Sequence, residues 1–392
     1  MQRAFLIDII IKIDAEVSLI MESRNLDKFK GCLVGGAVGD ALGYAVEFLS
    51  MESIRKFHGE KGITEYELID GKAQISDDTQ MTLYTANGLL LGTTRGRMRG
   101  IFGCYPEYIW VCYKDWLNTQ EQDYIQDKPK FSWLPNVPEL NKSRAPGTTC
   151  LYAIARKHYG TIENPINDRK GCGGLMRVAP IGLYFIGKRT TQNEIDMLGA
   201  EVAALTHGHE LGYIPAALFV HIISLVASNT MSLEDAVQDG IKNITNLFSS
   251  ATNLDYFITL INKAVDLSKS DVDDLSAINQ LGQGWVAEET LAIAIYCSLK
   301  YQNDFERAII ASVNHDGDSD STGSVTGNIL GAYLGVNAIP EKFIKNLELK
   351  DLIEDVATDL YNDCKISEFS DYSDEVWESK YIYHNYKFKT NS

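Results

Sequence analysis

The chain has 392 residues, 45% of them hydrophobic and 23% charged, which is the composition of a soluble globular protein with room for one large domain or two ordinary ones. A formal net charge of −17 excludes a nucleic-acid binder, which needs a basic footprint. The seven cysteines (32, 104, 112, 150, 172, 297 and 364) form no CxxC pair and leave an odd one over, so a disulfide framework or a zinc site is excluded and a reduced, cytoplasmic protein is expected.

Residues 4–13 are apolar but interrupted by Asp8 and Lys12, and no small-residue cleavage site follows. The run is too short and too charged for a membrane span or a signal peptide. Residues 1–25 are therefore an N-terminal extension, either a partner-binding arm or the product of a start assigned upstream of Met21. A single domain is predicted over 26–366, where apolar residues recur with helical period. Its first helix, 30–44, carries Gly31, Gly35, Gly39 and Gly43, four apart and so on one face. Glu47 lies close to its end. Ser76, Asp77 and Asp78 then open an apolar helix with a hydroxyl and two carboxylates. Helical periodicity marks 79–91, 108–117, 194–205, 213–228, 288–301 and 304–313. The proline-bearing stretch 120–146 is predicted to be a long loop, of the kind that is usually functional or mobile.

Residues 168–180 form a glycine-rich loop around Gly171, Cys172, Gly173 and Gly174. Its N–H groups suit phosphate oxygens, although a plain tight turn fits the same pattern. Cys172 has no activating base nearby in sequence and is read as packing. His207 and His209 stand two apart and do not face one way, so they are no metal pair; one of them suits a hydrogen bond to substrate.

The stretch 314–335 organises the rest. Asp316, Asp318 and Asp320 alternate with Gly317, Ser319 and Ser321, and then Gly323, Gly327, Gly331 and Gly335 recur every fourth residue. Each helical glycine costs about 1 kcal/mol against alanine. Four such costs make sense only where another backbone packs very close, so the two glycine-striped helices are predicted to form a central pair. Carboxylates crowded at a helix mouth repel, and the helix dipole offsets only part of that. A hard cation with oxygen ligands resolves the crowding; an acidic N-cap is the plainer alternative. Two oxygen-rich helix starts suit two such cations. The chain closes on an aromatic, polar tail, 367–392, with 381–389 expected to lie extended against the body. The fold class is all-α, one compact helical domain.

Residues 31–48, 76–79, 108–116, 171–183, 205–217 and 317–335 together resemble the ADP-ribosylglycohydrolases, in family order across the domain. The resemblance implies a binuclear magnesium centre, with manganese an alternative, ligated by Ser76, Asp77, Asp78, Asp318, Asp320 and Ser321. It puts Glu47 beside that centre, and Gly171, Cys172, Gly173, Gly174 and His207 at substrate-contacting positions. Catalysis is expected of Glu47, Asp77, Asp78 and Asp318, one of these carboxylates taking the proton of the attacking water. The runs Gly317-Asp-Ser-Asp-Ser-Thr-Gly323 and Gly171-Cys-Gly-Gly-Leu-Met-Arg177 look like the arginine-specific branch. The expected reaction is hydrolysis of the N-glycosidic bond of ADP-ribosylated arginine in proteins, with serine-linked or small-molecule acceptors as the alternative. Two features depart from that branch: the extra carboxylate Asp316, and the absence of Pro-Gly after Trp377-Glu-Ser-Lys-Tyr381. The implied partner is an ADP-ribosylated protein. Some members neutralise ADP-ribosylating toxins with an N-terminal extension, so a cognate transferase toxin, blocked by residues 1–25, is a further expected partner. No nucleic acid or membrane is expected.

Overall fold

The computed structural model describes residues 24–120 and 130–388. The toxin-binding role expected of residues 1–25 falls largely outside them, as do residues 121–129 of the predicted 120–146 loop. The first half of the chain gives α1 (Leu26–Tyr44), α2 (Met51–His58), α3 (Asp77–Arg99), α4 (Tyr105–Gln120), α5 (Thr148–Ala155), α6 (Ala179–Tyr184), α7 (Gln192–Ala204) and α8 (Glu210–Ala227). The second half gives α9 (Leu233–Leu247), α10 (Leu254–Ser268), α11 (Asp274–Leu281), α12 (Ala287–Lys300) and α13 (Phe305–Val313). It ends with α14 (Ser319–Leu334), α15 (Glu341–Ile344), α16 (Lys350–Asn362) and α17 (Glu375–Tyr381). Among the described residues the only β-pairing is three isolated bridges, so the domain is all-α.

Local chemistry explains where these helices begin and end. The Asn25 side chain accepts from the Asp27 N–H to cap α1, and Ser76 accepts from the Asp78 N–H to cap α3. Thr191 and Glu194 cap α7 reciprocally. Gly100, in the left-handed region at φ 65°, closes α3.

The centre of the fold is the antiparallel pair α1 and α14. A methyl built on Gly31 would stand 2.2 Å from the Gly331 carbonyl oxygen, one on Gly35 2.4 Å from that of Gly327, and one on Gly39 2.0 Å from that of Gly323. Looking back from α14, a methyl on Gly327 would meet the Gly35 oxygen at 1.9 Å. Real side chains do not approach so closely, so the two backbones touch along the whole stripe. This is the close approach that the four-residue spacing predicts. Because the helices run in opposite directions, the last turn of α1 lies beside the first turn of α14, where a methyl on Gly43 would sit 2.2 Å from the Ser319 oxygen.

Around this pair lies α8, which is long and apolar enough to cross a membrane but has 89% of that stretch buried in the domain. It is a buried helix of the core, packed beside the central pair. The six predicted helical runs fall on α3, α4, α7, α8, α12 and α13. Within the predicted loop, two single 3₁₀ turns (Leu134–Asn136 and Pro138–Leu140) are held by Trp133 and Leu134, both fully buried. In the C-terminal tail, 375–381 folds as α17, with Trp377 and Tyr381 buried against α3 and α16. Of the segment expected to lie extended against the body, 384–388 runs without regular structure and packs on Asn136 and Trp133.

Candidate active site

The starts of α3 and α14 converge beside the end of α1. Asp77 and Asp78 occupy the first turn of α3; Asp318 caps α14 and Asp320 lies in its first turn. The two starts meet directly where the Ser321 hydroxyl donates to Asp78 Oδ1 at 3.3 Å. Asp320 Oδ1 accepts from the Ser321 N–H at 2.8 Å, and the Gly147 N–H reaches Asp77 Oδ2 at 3.2 Å. Ser76 is fully buried, its hydroxyl accepting from the Asp78 N–H at 3.2 Å and donating to Asp320. All six expected ligand residues therefore lie together. Asp316 does not join them: it turns outward and accepts from the Met51 N–H at 2.6 Å, at the start of α2.

Glu47 comes in from the turn after α1. One oxygen each from Glu47, Asp318 and Asp320 lie within 4.8 Å of one another, all three residues buried. Glu47 Oε2 and Asp78 Oδ2 are buried without a hydrogen-bond partner. Burial first, and then the charges of Asp320, Asp318, Asp77 and Asp40, push the Glu47 carboxyl up to about 10. The same causes, burial ahead of Asp320, hold Asp77, Asp78 and Asp318 well above the ordinary carboxylate range. Orphaned carboxylate oxygens crowded together, with no lysine or arginine among the described residues of the pocket wall, are what a hard dication fits.

Asp40 is the residue that sequence reasoning misses. It is fully buried in α1 and accepts from the Ser76 N–H at 3.0 Å, the Thr79 N–H at 3.1 Å and the Thr79 hydroxyl. It thus fixes the start of α3 onto the central pair. Burial and then Asp320 lift its carboxyl to about 7. Its signal was the one charge in the otherwise apolar, glycine-striped stretch 31–44 of that helix.

These carboxylates floor a cavity of about 350 Å³, walled by the glycine loop, by residues 145–150 and by His207. Gly171, Cys172 and Gly173 face the cavity, while Gly174 is buried behind them. The loop wraps the His207 imidazole: a methyl on Gly173 or Gly174 would stand 3.3 or 3.2 Å from the ring. His207 Nδ1 pairs with the Thr206 hydroxyl at 2.8 Å, and burial, followed by nearby Arg177, lowers its pKa to about 3. It is a neutral ring that shapes the loop. His209 faces elsewhere and caps α8 through Nδ1. The Cys172 thiol donates to Asp318 Oδ2 at 2.8 Å, and burial with that charge keeps it protonated, so it is no nucleophile. The opposite wall holds a second unforeseen feature. Helix α5 starts at Thr148 with no side-chain cap, and its first residues line the cavity. At the rim, Phe48 and Trp285 stack with centroids 6.0 Å apart.

The ADP-ribosylglycohydrolase family model matches residues 21–368. An uncharacterized protein of Archaeoglobus fulgidus is 27% identical over 337 residues, covering 86% of this chain and 96% of its own length. The ADP-ribosylhydrolase ARH3 of Mus musculus is 24% identical over 357 residues, covering 83% of this chain and 89% of its own. A solved structure described as an ADP-ribosylglycohydrolase-related protein complex shares the fold with a TM-score of 0.52 at 22% identity, over 86% of this chain and 98% of that one. With the family model spanning the whole helical body that carries the acidic cavity, the chain belongs to the ADP-ribosylglycohydrolase family, hydrolases of ADP-ribose linkages.

Proposed function

We propose that this protein removes ADP-ribose from modified arginine side chains of proteins, by divalent-metal-dependent hydrolysis of the N-glycosidic bond. The observation that carries the reading is the buried convergence of Glu47, Asp318 and Asp320 on the start of α3, with carboxylate oxygens left unpartnered. Ser76, Asp77, Asp78, Asp318, Asp320 and Ser321 would hold two magnesium ions, or manganese. Such ions supply Lewis-acid activation of water and a template for sugar hydroxyls. The seven thiols are all free, in keeping with a cytoplasmic enzyme.

The chain's own groups divide the remaining work. Glu47, with Oε2 free at the cavity, is the base that takes a proton from the attacking water. Bound cations would replace repulsion by attraction at this carboxylate and bring it down from its raised value. The sugar passes through an oxocarbenium-like state as the bond to guanidine breaks. The linked guanidine is already a guanidinium, so it departs as neutral guanidine and, being a strong base, then takes up the proton that Glu47 removed from water, with no further acid needed. The N–H groups at the uncapped start of α5, with those of Gly171 and Gly173, supply a cradle for the diphosphate. At the rim, a guanidinium meets the flat aromatic faces of Phe48 and Trp285, a contact that its planar charge favours.

The test is to offer proteins modified at arginine or at serine and to measure free ADP-ribose, with magnesium and with chelator. Release from arginine that needs magnesium is expected. A preference for serine would move the acceptor while leaving the hydrolase; undiminished release in chelator would remove the metal.

A further inference from the structure

We propose that the buried Arg144–Glu348 ion pair is a positioning device that holds Asp77 and the phosphate-facing start of α5 in one register. Arg144 and Glu348 side chains are 7% and 9% exposed and meet at 3.3 Å. Arg144 also donates to Gln74. The backbone on both sides of the pair runs straight to the site. The Arg144 carbonyl accepts from the Asp77 N–H at 3.0 Å, and three residues later the Gly147 N–H donates to Asp77 Oδ2. Glu348 Oε2 accepts from the Ile75 N–H at 3.2 Å, and the Glu348 N–H donates to the Ala73 carbonyl at 3.0 Å. Segment 73–77 is thus gripped from both sides, with the ion pair closing the ring. Between the two grips, Ala145 lines the cavity in the left-handed region at φ 49°. A residue with a β-carbon stays there only where its surroundings enforce it. The pair supplies that enforcement, and α5 starts three residues on.

The inference rests on the reading that α5 receives the diphosphate of ADP-ribose, and the experiment separates the two. Free ADP-ribose is titrated calorimetrically, with magnesium, into the wild type, Glu348→Gln, Arg144→Met and the conservative Arg144→Lys. The temperature is one at which circular dichroism shows each protein folded. A purely structural pair would lower the melting midpoint and leave affinity alone. A positioning pair, like other residues one step behind a metal ligand, should weaken ADP-ribose binding by about tenfold or more in Glu348→Gln and Arg144→Met. Arg144→Lys, which keeps the charge but not the fork, should recover part of the loss. If Glu348→Gln or Arg144→Met does not fold, the comparison of Arg144→Lys with wild type decides. Folded variants that bind as tightly as the wild type overturn the proposal. A wild type that binds no ADP-ribose overturns the functional reading itself.

Discussion

At the scale of single residues, the site is an electrostatic liability that the fold tolerates. Glu47, Asp40, Asp77, Asp78, Asp318 and Asp320 all have carboxyl groups raised by burial first and, except for Asp320, by a neighbour's charge, that of Asp320 above all, so neutralising one removes a buried charge from a crowded site. Asp78→Asn and Asp318→Asn are each expected to raise the melting midpoint of the chelated protein. Each should also cut hydrolysis by more than about a hundredfold, the upper end seen for residues one step further from a metal. A variant that loses stability and keeps activity would reverse both assignments. The pH dependence follows with a definite sign. Asp40 is raised to about 7 in the fold, against an unfolded value near ~3.9. Its contribution is therefore fully present below the unfolded value and is lost as pH rises through about 7. Chelated protein should melt lower at about pH 8 than at about pH 5, and Asp40→Asn should flatten that slope. Equal midpoints in wild type at the two pH values would mean that the carboxylates are less crowded than the geometry says.

At the scale of elements, the central helix pair both holds the domain together and delivers the acids. Its spacing was legible because glycine at four-residue intervals leaves few explanations other than backbone contact. Which end of the pair carries chemistry follows from the antiparallel geometry. Alanine at Gly31 would meet the Gly331 oxygen at 2.2 Å, far from the cavity; alanine at Gly43 would meet the Ser319 oxygen at 2.2 Å, beside Asp320. Both substitutions gain about 1 kcal/mol of helix propensity and lose more to overpacking, typically about 1–3 kcal/mol. The two should therefore destabilise comparably, while Gly43→Ala alone lowers kcat well beyond its effect on folding. Equal kcat in the two folded variants would disconnect the pair from the site. Other parts of the site were illegible for physical reasons. Asp40 looks like an anomaly until α3 is placed against α1. Asp316 shares the alternation of Asp318 and Asp320, yet it precedes the first helical turn and points to α2. The start of α5 has no capping side chain to mark it, and its value as an anion site exists only because the cavity lies in front of it.

At the scale of the whole molecule, the C-terminal tail tests how separable stability and chemistry are. Its motif-like run places Trp377 Nε1 on the Thr94 hydroxyl at 2.9 Å and Tyr381 OH on Asp359 at 2.6 Å. Between them Lys380, 2% exposed, bridges Asp355 at 2.6 Å and Asp359 at 2.7 Å. Asn136 then donates to the carbonyls of His384 and Tyr386, which ties the tail to the loop after α4. None of these residues lines the acidic cavity. The missing Pro-Gly after Tyr381 therefore bears on how the tail leaves α17 rather than on substrate. Lys380→Met keeps the buried stem but removes the cation that pairs with two carboxylates, one of them, Asp359, raised by burial first. Removing one partner from such a buried cluster costs about 3–5 kcal/mol. The melting midpoint should fall accordingly. Binding of ADP-ribose and kcat, measured well below that midpoint, should stay within about twofold of wild type, since a shift under about 0.4 kcal/mol is all that remote packing changes usually transmit. A selective loss of ADP-ribose affinity in folded Lys380→Met would instead join the tail to the active site.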